Sequence, residues 1–212
     1  MGYRPTCGEA VRVNVGAIVL AAGASRRMGQ PKALIRAGGR SFLEWVVDSL
    51  CRAGVARIVV VTRVELLAEV TALAGPGRVL VNPRPEEGML STLRVGLNDL
   101  PPDADVLLAP VDQPAFQPAS VRRLLEGPPG KIVVPSHAGR RGHPALYPAS
   151  VRAELLDPAL EGGARAVLRR DPARVVHVEV DDPGVLLDAN RPEELPALVA
   201  LLERRAGQDS PR

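Results

Sequence analysis

Short, nearly all-apolar runs alternate along this chain with stretches in which apolar residues return every three or four positions. The first pattern predicts strands buried on both faces, the second amphipathic helices. On this reading residues 15–21, 57–62, 78–81 and 105–111 are strands. Helices cover 64–74, 89–100 and 118–126, and another begins at Ser41 and runs through Ala53 to stop at Gly54. Ser41 with Glu44 three residues later forms a capping box, in which each side chain satisfies a backbone N–H of the other's turn. After Gly130 the rhythm changes. Short strands at 131–135 and 144–147 flank a turn at 138–143, helices follow near 150–156 and 163–169, then a strand at 175–180 and a last helix from about Pro192.

Strands alternating with helices imply an α/β fold, a Rossmann-like three-layer α/β/α sandwich around a mostly parallel sheet. Ligands of such sheets bind outside the carboxyl ends of the strands, where strand order reverses. No internal repeat or long linker interrupts the pattern, so residues 1–212 read as a single domain, with 1–14 as an N-terminal extension and 207–212 as a flexible tail.

Composition narrows the classes. Hydrophobic residues make up 46% of the chain and aromatics 2%, which suits a large aliphatic core and not base-stacking platforms, so no nucleic-acid partner is expected. The net charge of +3 is spread along the chain without a polybasic block. Cys7 and Cys51 form no C-x-x-C pattern, so neither a zinc site nor a disulfide framework is expected. No apolar run reaches membrane-spanning length and 1–14 lack a signal-peptide core, so the expectation is a cytoplasmic protein with no membrane partner.

Polar residues gather at the predicted strand ends. The first strand runs into Gly23-Ala24-Ser25, then Arg26, Arg27, Gly29 and Lys32. Small residues allow close backbone approach, and the N–H groups of such a turn hold anions, so this segment reads as a phosphate-holding loop. Lysine and arginine total 27, yet only Lys32 and Lys131 are lysine, so Lys32 marks a place that wants a compact point charge. The segment from Asn82 to Arg94 follows the third strand; Asn82 offers an amide to a base edge, and Gly88, Ser91 and Thr92 open a helix. Asp112, fixed by Gln113-Pro114 at the end of the fourth strand, suits Mg²⁺ held with phosphate oxygens and waters. Asp188 and Asn190 share one side of an extended segment and add oxygens for the same ion. Gly139-Arg140-Arg141-Gly142-His143-Pro144 offers a base or an anion contact, and equally a structural turn. No G-x-S-x-G elbow and no G-x-x-x-x-G-K-[ST] loop occurs, and the glycine spacing departs from G-x-G-x-x-G. Phosphoryl-type chemistry without a protein nucleophile is the economical reading.

Leu20–Lys32, LAAGASRRMGQPK, together with NPRPEEGMLSTLRVGL, VDQP, GRRGHP, LEGGARAVL and LLDANRPEEL, resembles the nucleotidyltransferases related to molybdenum-cofactor cytidylyltransferase and molybdopterin-guanine dinucleotide synthase. The resemblance implies a nucleotide-diphospho-sugar transferase type of fold and an enzyme that moves a nucleoside monophosphate, CMP from CTP, to the terminal phosphate of molybdopterin with release of pyrophosphate. It implies that Leu20, Ala21, Ala22 and Gly23 hold the nucleotide, that Arg27 and Lys32 grip its phosphates, and that Asn82, Gly88 and Ser91 lie around base and ribose. Catalysis would fall to Arg27, Lys32 and Asp112, with Mg²⁺ of the metal–nucleotide complex on Asp112, Asn190 and Asp188. Gly142, His143 and Pro144 would shape the acceptor side. A molybdoenzyme or its maturation chaperone is the implied protein partner. Leu90, Leu160-Glu161 and Asn190 depart from the family pattern. Alternatives are a sugar-phosphate or alcohol-phosphate acceptor, and a non-catalytic molybdenum-cofactor carrier.

Overall fold

The computed structural model describes residues 14–25 and 28–209. Strand β1 (Val15–Leu20) is buried along its whole length, as its unbroken apolar run requires. A two-residue hairpin follows, β2 (Arg36–Ala37) and β3 (Arg40–Ser41), turning at Gly38 and Gly39, both at positive φ. Helix α1 (Phe42–Arg52) starts at the expected capping box: the Ser41 side chain accepts from Glu44 N–H and the Glu44 carboxylate accepts from Ser41 N–H. Then come β4 (Arg57–Thr62), α2 (Leu67–Leu73), β5 (Arg78–Val81), α3 (Met89–Asp99), β6 (Asp105–Pro110) and α4 (Pro118–Leu125). The second half contains β7 (Ile132–His137), β8 (Arg140–Arg141), β9 (Ala145–Tyr147), α5 (Arg152–Leu156), α6 (Ala164–Arg170), β10 (Val175–Glu179) and α7 (Leu195–Asp209). The final helix therefore continues past 207, where a tail was expected.

The main sheet has the order β10-β7-β9-β6-β1-β4-β5, with β8 paired to β7. Around β1 it is parallel: Ile18 stands opposite Val59 of β4 on one side and Leu108 of β6 on the other. The chain passes outward through β4 and β5, then returns to the far side of β1, so strand order reverses between β1 and β6. That crevice is the expected ligand position. β9 is antiparallel to both β6 and β7. The turn at 138–143 is a β7–β8 hairpin, with β9 then inserted between β7 and β6.

Alternation along the strands divides the core. Ala17, Val19, Val60 and Leu107 pack against Leu43, Val46, Leu50, Val70 and Leu124 on one face. Ile18, Leu20, Val61 and Leu108 pack against Leu93, Leu97, Leu155 and Val167 on the other. A third cluster joins Phe42 and Trp45 to Leu198 and Leu202 of α7. Trp45 Nε1 donates to Ala37 O at 2.9 Å, tying α1 to the hairpin over which α7 lies. This packing fixes residues 187–194 across the crevice. Cys51, fully buried in α1, is disulfide-bonded, where the sequence reading expected no disulfide framework. No helix among the described residues is long and apolar enough to cross a membrane.

Sequence reading passed over the joint between the two halves. Buried Asp182 accepts from Gln117 N–H at 2.7 Å, Ser120 Oγ–H at 2.6 Å and Gly184 N–H at 3.0 Å. A Cβ on Gly184 would stand 1.8 Å from Ala115 O, so no side chain fits there without moving the backbone. Gly184→Ala is expected to cost ~3 kcal/mol, at the upper end of overpacking. That lowers the melting temperature by about 6–12 °C for a domain of this size; a melting point within 2 °C of wild type would contradict the joint.

Candidate active site

Beyond β1 the chain leaves the sheet through a final ladder bond, Ala21 N–H to Val61 O at 2.8 Å. Ser25, at φ 49°, closes the loop twice: its carbonyl accepts from Met28 N–H at 2.9 Å and its hydroxyl accepts from Lys32 N–H at 3.1 Å. These bonds bring Lys32 back over the strand end. A cavity of about 540 Å³ opens there, walled by residues 20–25 and Lys32, by Gly88 and Thr92 at the start of α3, and by Asp112 and Asn190. Leu20, Ala21, Ala22 and Gly23 all line it. Nothing lies within 4 Å of a Cβ built on Gly23, so its space is open toward a ligand. Gly88, at φ 91°, adopts a conformation that favours glycine and lets α3 begin facing the cavity. Arg27 lies outside the described residues.

The centre of the site is one ammonium between two oxygens. Lys32 Nζ donates to Asp112 Oδ2 at 2.8 Å and to Asn190 Oδ1 at 2.8 Å. The Lys32 and Asp112 side chains are 15% and 23% exposed, so the pair is shielded but reachable. Asn190 is held from behind: its Nδ2 donates to Asp188 Oδ2 at 2.6 Å, which turns its carbonyl oxygen toward Lys32. Asn190 N–H and Arg191 N–H both donate to Glu194, at 2.7 and 2.9 Å. Ala189 N–H donates to Asp112 O at 2.9 Å, joining the two segments. Burial, then the Glu194 and Asp112 carboxylates, raise the Asp188 carboxyl above its ordinary range, and Lys32 and Arg165 oppose them.

This donor set fits a divalent cation. A carboxylate and an amide oxygen already converge on a single positive charge, and hard oxygen donors suit Mg²⁺. Among the described residues no cluster of three or more His, Cys, Asp or Glu is arranged to hold a metal. Such a site is completed by water and phosphate oxygens rather than by a protein cage.

Two expected base contacts are placed differently. Asn82 is buried and lines neither cavity at this crevice. Its Nδ2 donates to Ser91 Oγ at 2.8 Å and Thr92 Oγ1 at 3.0 Å, and its Oδ1 accepts from Arg84 N–H at 2.9 Å. Ser91 spends its hydroxyl proton on the Arg84 and Gly88 carbonyls. Both side chains therefore hold the loop onto the start of α3, because a buried amide must satisfy its own groups first. Thr92, not singled out as a contact, takes the place on the wall.

A second cavity, also about 540 Å³, shares Met89, Pro110, Asp112 and Asn190 with the first. His143 lines it, whereas Gly142 and Pro144 do not. Those two set the histidine's backbone. A Cβ on Gly142 would meet Val185 O at 2.2 Å, and His143 N–H donates to that same oxygen at 2.9 Å. Burial, and next the charge of Arg165, hold the His143 imidazole below its ordinary pKa, outweighing Asp112 and the Leu108 carbonyl. Asp188 also lines this cavity. Arg140 and Arg141 are exposed on β8 and line neither space. Gln113, Tyr147 and Arg165 are wall residues that sequence reading missed as contacts. Gln113 stands in VDQP and Arg165 in LEGGARAVL, segments that carry the resemblance but in which neither residue was given a role, and Tyr147 stands in no motif; the three converge on one cavity only in the fold.

Residues 17–176 match the MobA-like NTP transferase domain. The chain is 31% identical to Nicotine blue oxidoreductase of Paenarthrobacter nicotinovorans, over 85% of this chain and 94% of that protein. It is 32% identical to a Molybdenum cofactor guanylyltransferase of Rhizobium meliloti (strain 1021), over 84% of this chain and 88% of the relative. Among solved structures, a nucleotidyl transferase from Methanothermobacter thermautotroptrophicus superposes with a TM-score of 0.78 at 25% identity, covering 91% of this chain and 99% of that one.

Proposed function

The chain belongs to the MobA-like NTP transferase family and is a nucleotidyltransferase, and on that premise we propose that it transfers CMP from CTP to the terminal phosphate of molybdopterin, releasing pyrophosphate. The observation that carries the reading is the pair of equal cavities meeting at Asp112 and Asn190. A donor in the first and an acceptor in the second bring the reacting phosphates together at their shared edge.

The loop at 20–25 presents backbone to the donor, and Lys32 supplies positive charge where the triphosphate lies. Asp112 and Asn190, the latter oriented by Asp188, provide oxygens for Mg²⁺ of the metal–nucleotide complex, which when bound neutralises charge growing on the leaving pyrophosphate. The acceptor phosphate is already anionic, so no strong base is needed. His143, held neutral, is consistent with a hydrogen-bonding role. Positioning and electrostatics supply the rate. The dinucleotide product then goes to a molybdoenzyme or its maturation chaperone.

CTP is favoured as donor because Leu20–Gly23 reads LAAG, the two-alanine form that resembles the cytidylyl-transferring branch of the family. The relatives named molybdenum cofactor guanylyltransferases make GTP the competing donor. A panel of CTP, GTP, ATP and UTP with molybdopterin and Mg²⁺, read by pyrophosphate release, tests this. CTP should exceed GTP in kcat/KM by about 10-fold, the worth of 1.4 kcal/mol; a preference for GTP overturns the donor assignment. The relative named Nicotine blue oxidoreductase favours a second reading, an oxidoreductase built on the same domain. Absence of pyrophosphate release from any nucleotide would select it.

A further inference from the structure

The second cavity carries a cation and unmet hydrogen-bonding groups. Arg165, in the first turn of α6, is the one arginine or lysine among the described residues lining it. It is exposed, and no hydrogen bond or ion pair to it occurs among the described residues. Its charge reaches across the space, acting on His143, Tyr147 and Asp188. Two of its lining residues each hold a buried atom with no hydrogen-bond partner among the described residues, His143 Nδ1 and Gln113 Oε1. Leaving buried polar atoms unpaired is costly, and a bound ligand with the matching groups relieves it. Between them the wall is apolar, from Leu90, Leu108 and Leu160.

From this arrangement we propose that Arg165 selects the acceptor by gripping an anionic oxygen of its phosphate, while Gln113 Oε1 and His143 Nδ1 take N–H or O–H groups on its body. The inference rests on the nucleotidyltransferase reading and adds to it the residue that tells a phosphate monoester from a neutral alcohol. Arg165 lines the same cavity as Asp112 and Asn190, the residues of the shared edge, so the gripped phosphate is the reacting one. One of its oxygens attacks the α-phosphorus of the nucleotide and forms a P–O–P bond. The bond from the α-phosphorus to the bridging oxygen of the β-phosphate breaks, and pyrophosphate leaves with the electron pair. The attacking oxygen of a monoester dianion carries no proton, so none is transferred. Burial, despite the Arg165 charge, raises the Tyr147 phenol, so this wall group stays neutral and does not repel the anion.

The test titrates three phosphate monoesters (molybdopterin, 2-C-methylerythritol 4-phosphate and glucose 1-phosphate) into wild type, Arg165→Ala and Arg165→Lys by calorimetry. CTP binding without acceptor is measured in parallel. The alanine variant is expected to bind the preferred monoester about 10- to 100-fold more weakly, the range for losing one charge-assisted hydrogen bond. CTP affinity should stay unchanged, and the lysine variant should recover part of the loss. Because Arg165 is exposed, folding is not at stake, and melting curves check it. Unchanged monoester binding in Arg165→Ala, an equal loss of CTP binding, or no binding of any of the three to wild type overturns the inference. Arg165-dependent binding of a monoester without pyrophosphate release upholds the inference and instead overturns the transfer reaction.

Discussion

Asp112→Ala is expected to lower kcat by about 10²–10³, the scale of losing one preorganised electrostatic contact to a transition state. The side chain sits where the two cavities meet, and its Oδ2 is one of the two oxygens converging on a single positive charge. Asparagine at 190 adds no charge, so Asp112 is the one acidic side chain of that converging pair. Stability should change little. The side chain packs no apolar core, and the bond from Ala189 N–H to the Asp112 carbonyl at 2.9 Å belongs to the backbone and survives the substitution. Asp112→Asn separates charge from shape, since its amide oxygen still accepts from Lys32; it should lose nearly as much turnover as the alanine variant. The measurement is pyrophosphate release across a Mg²⁺ titration, with melting curves for both variants. Near-normal kcat in either one would remove Asp112 from the metal site.

The residues that were legible in the sequence are those whose role is local or whose burial is continuous. β1, β4 and β6 are covered on both faces, so they show as unbroken apolar runs, and the capping box of α1 is written in Ser41 and Glu44. Asp112 and Asn190 were legible because strand order brings their segments to one crevice. The β2–β3 hairpin was not, since strands of two residues carry no period. Nor was the direction of β9, three residues whose pairing is decided by the sheet edges available to them. Asn82 shows the limit for polar residues. The same amide serves a base edge or a buried loop, and only the positions of Ser91, Thr92 and Arg84 decide between them. Arg165 stands in LEGGARAVL, a segment that carries the resemblance, but it was given no role there, because with lysine at only two of 27 basic positions one more arginine draws no attention, whereas Lys32 does.

Lys32→Ala is expected to lower turnover and tighten divalent-cation binding, two effects of opposite sign. The ammonium satisfies Asp112 Oδ2 and Asn190 Oδ1 from one nitrogen, holding carbonyl and carboxylate at a common focus before any ligand arrives. With nucleotide present the same charge is needed on the phosphates, so its loss should raise the KM for CTP about 10-fold and lower kcat by about 10². Without nucleotide the ammonium competes with any other cation for those two oxygens. Removing one positive charge near 4 Å in a solvated setting is worth ~1 kcal/mol, so Mn²⁺, followed by its paramagnetic signal, should bind nucleotide-free Lys32→Ala about 5-fold more tightly than wild type. Lys32→Arg should rescue poorly. A planar fork presents its donors from separate nitrogens, whereas two oxygens from different segments here share one compact donor. A merely structural lysine would lower stability and leave both cation affinity and the CTP KM unmoved. That combination, or weaker Mn²⁺ binding in the alanine variant, would refute the idea that Lys32 stands at the cation position and must yield it during turnover.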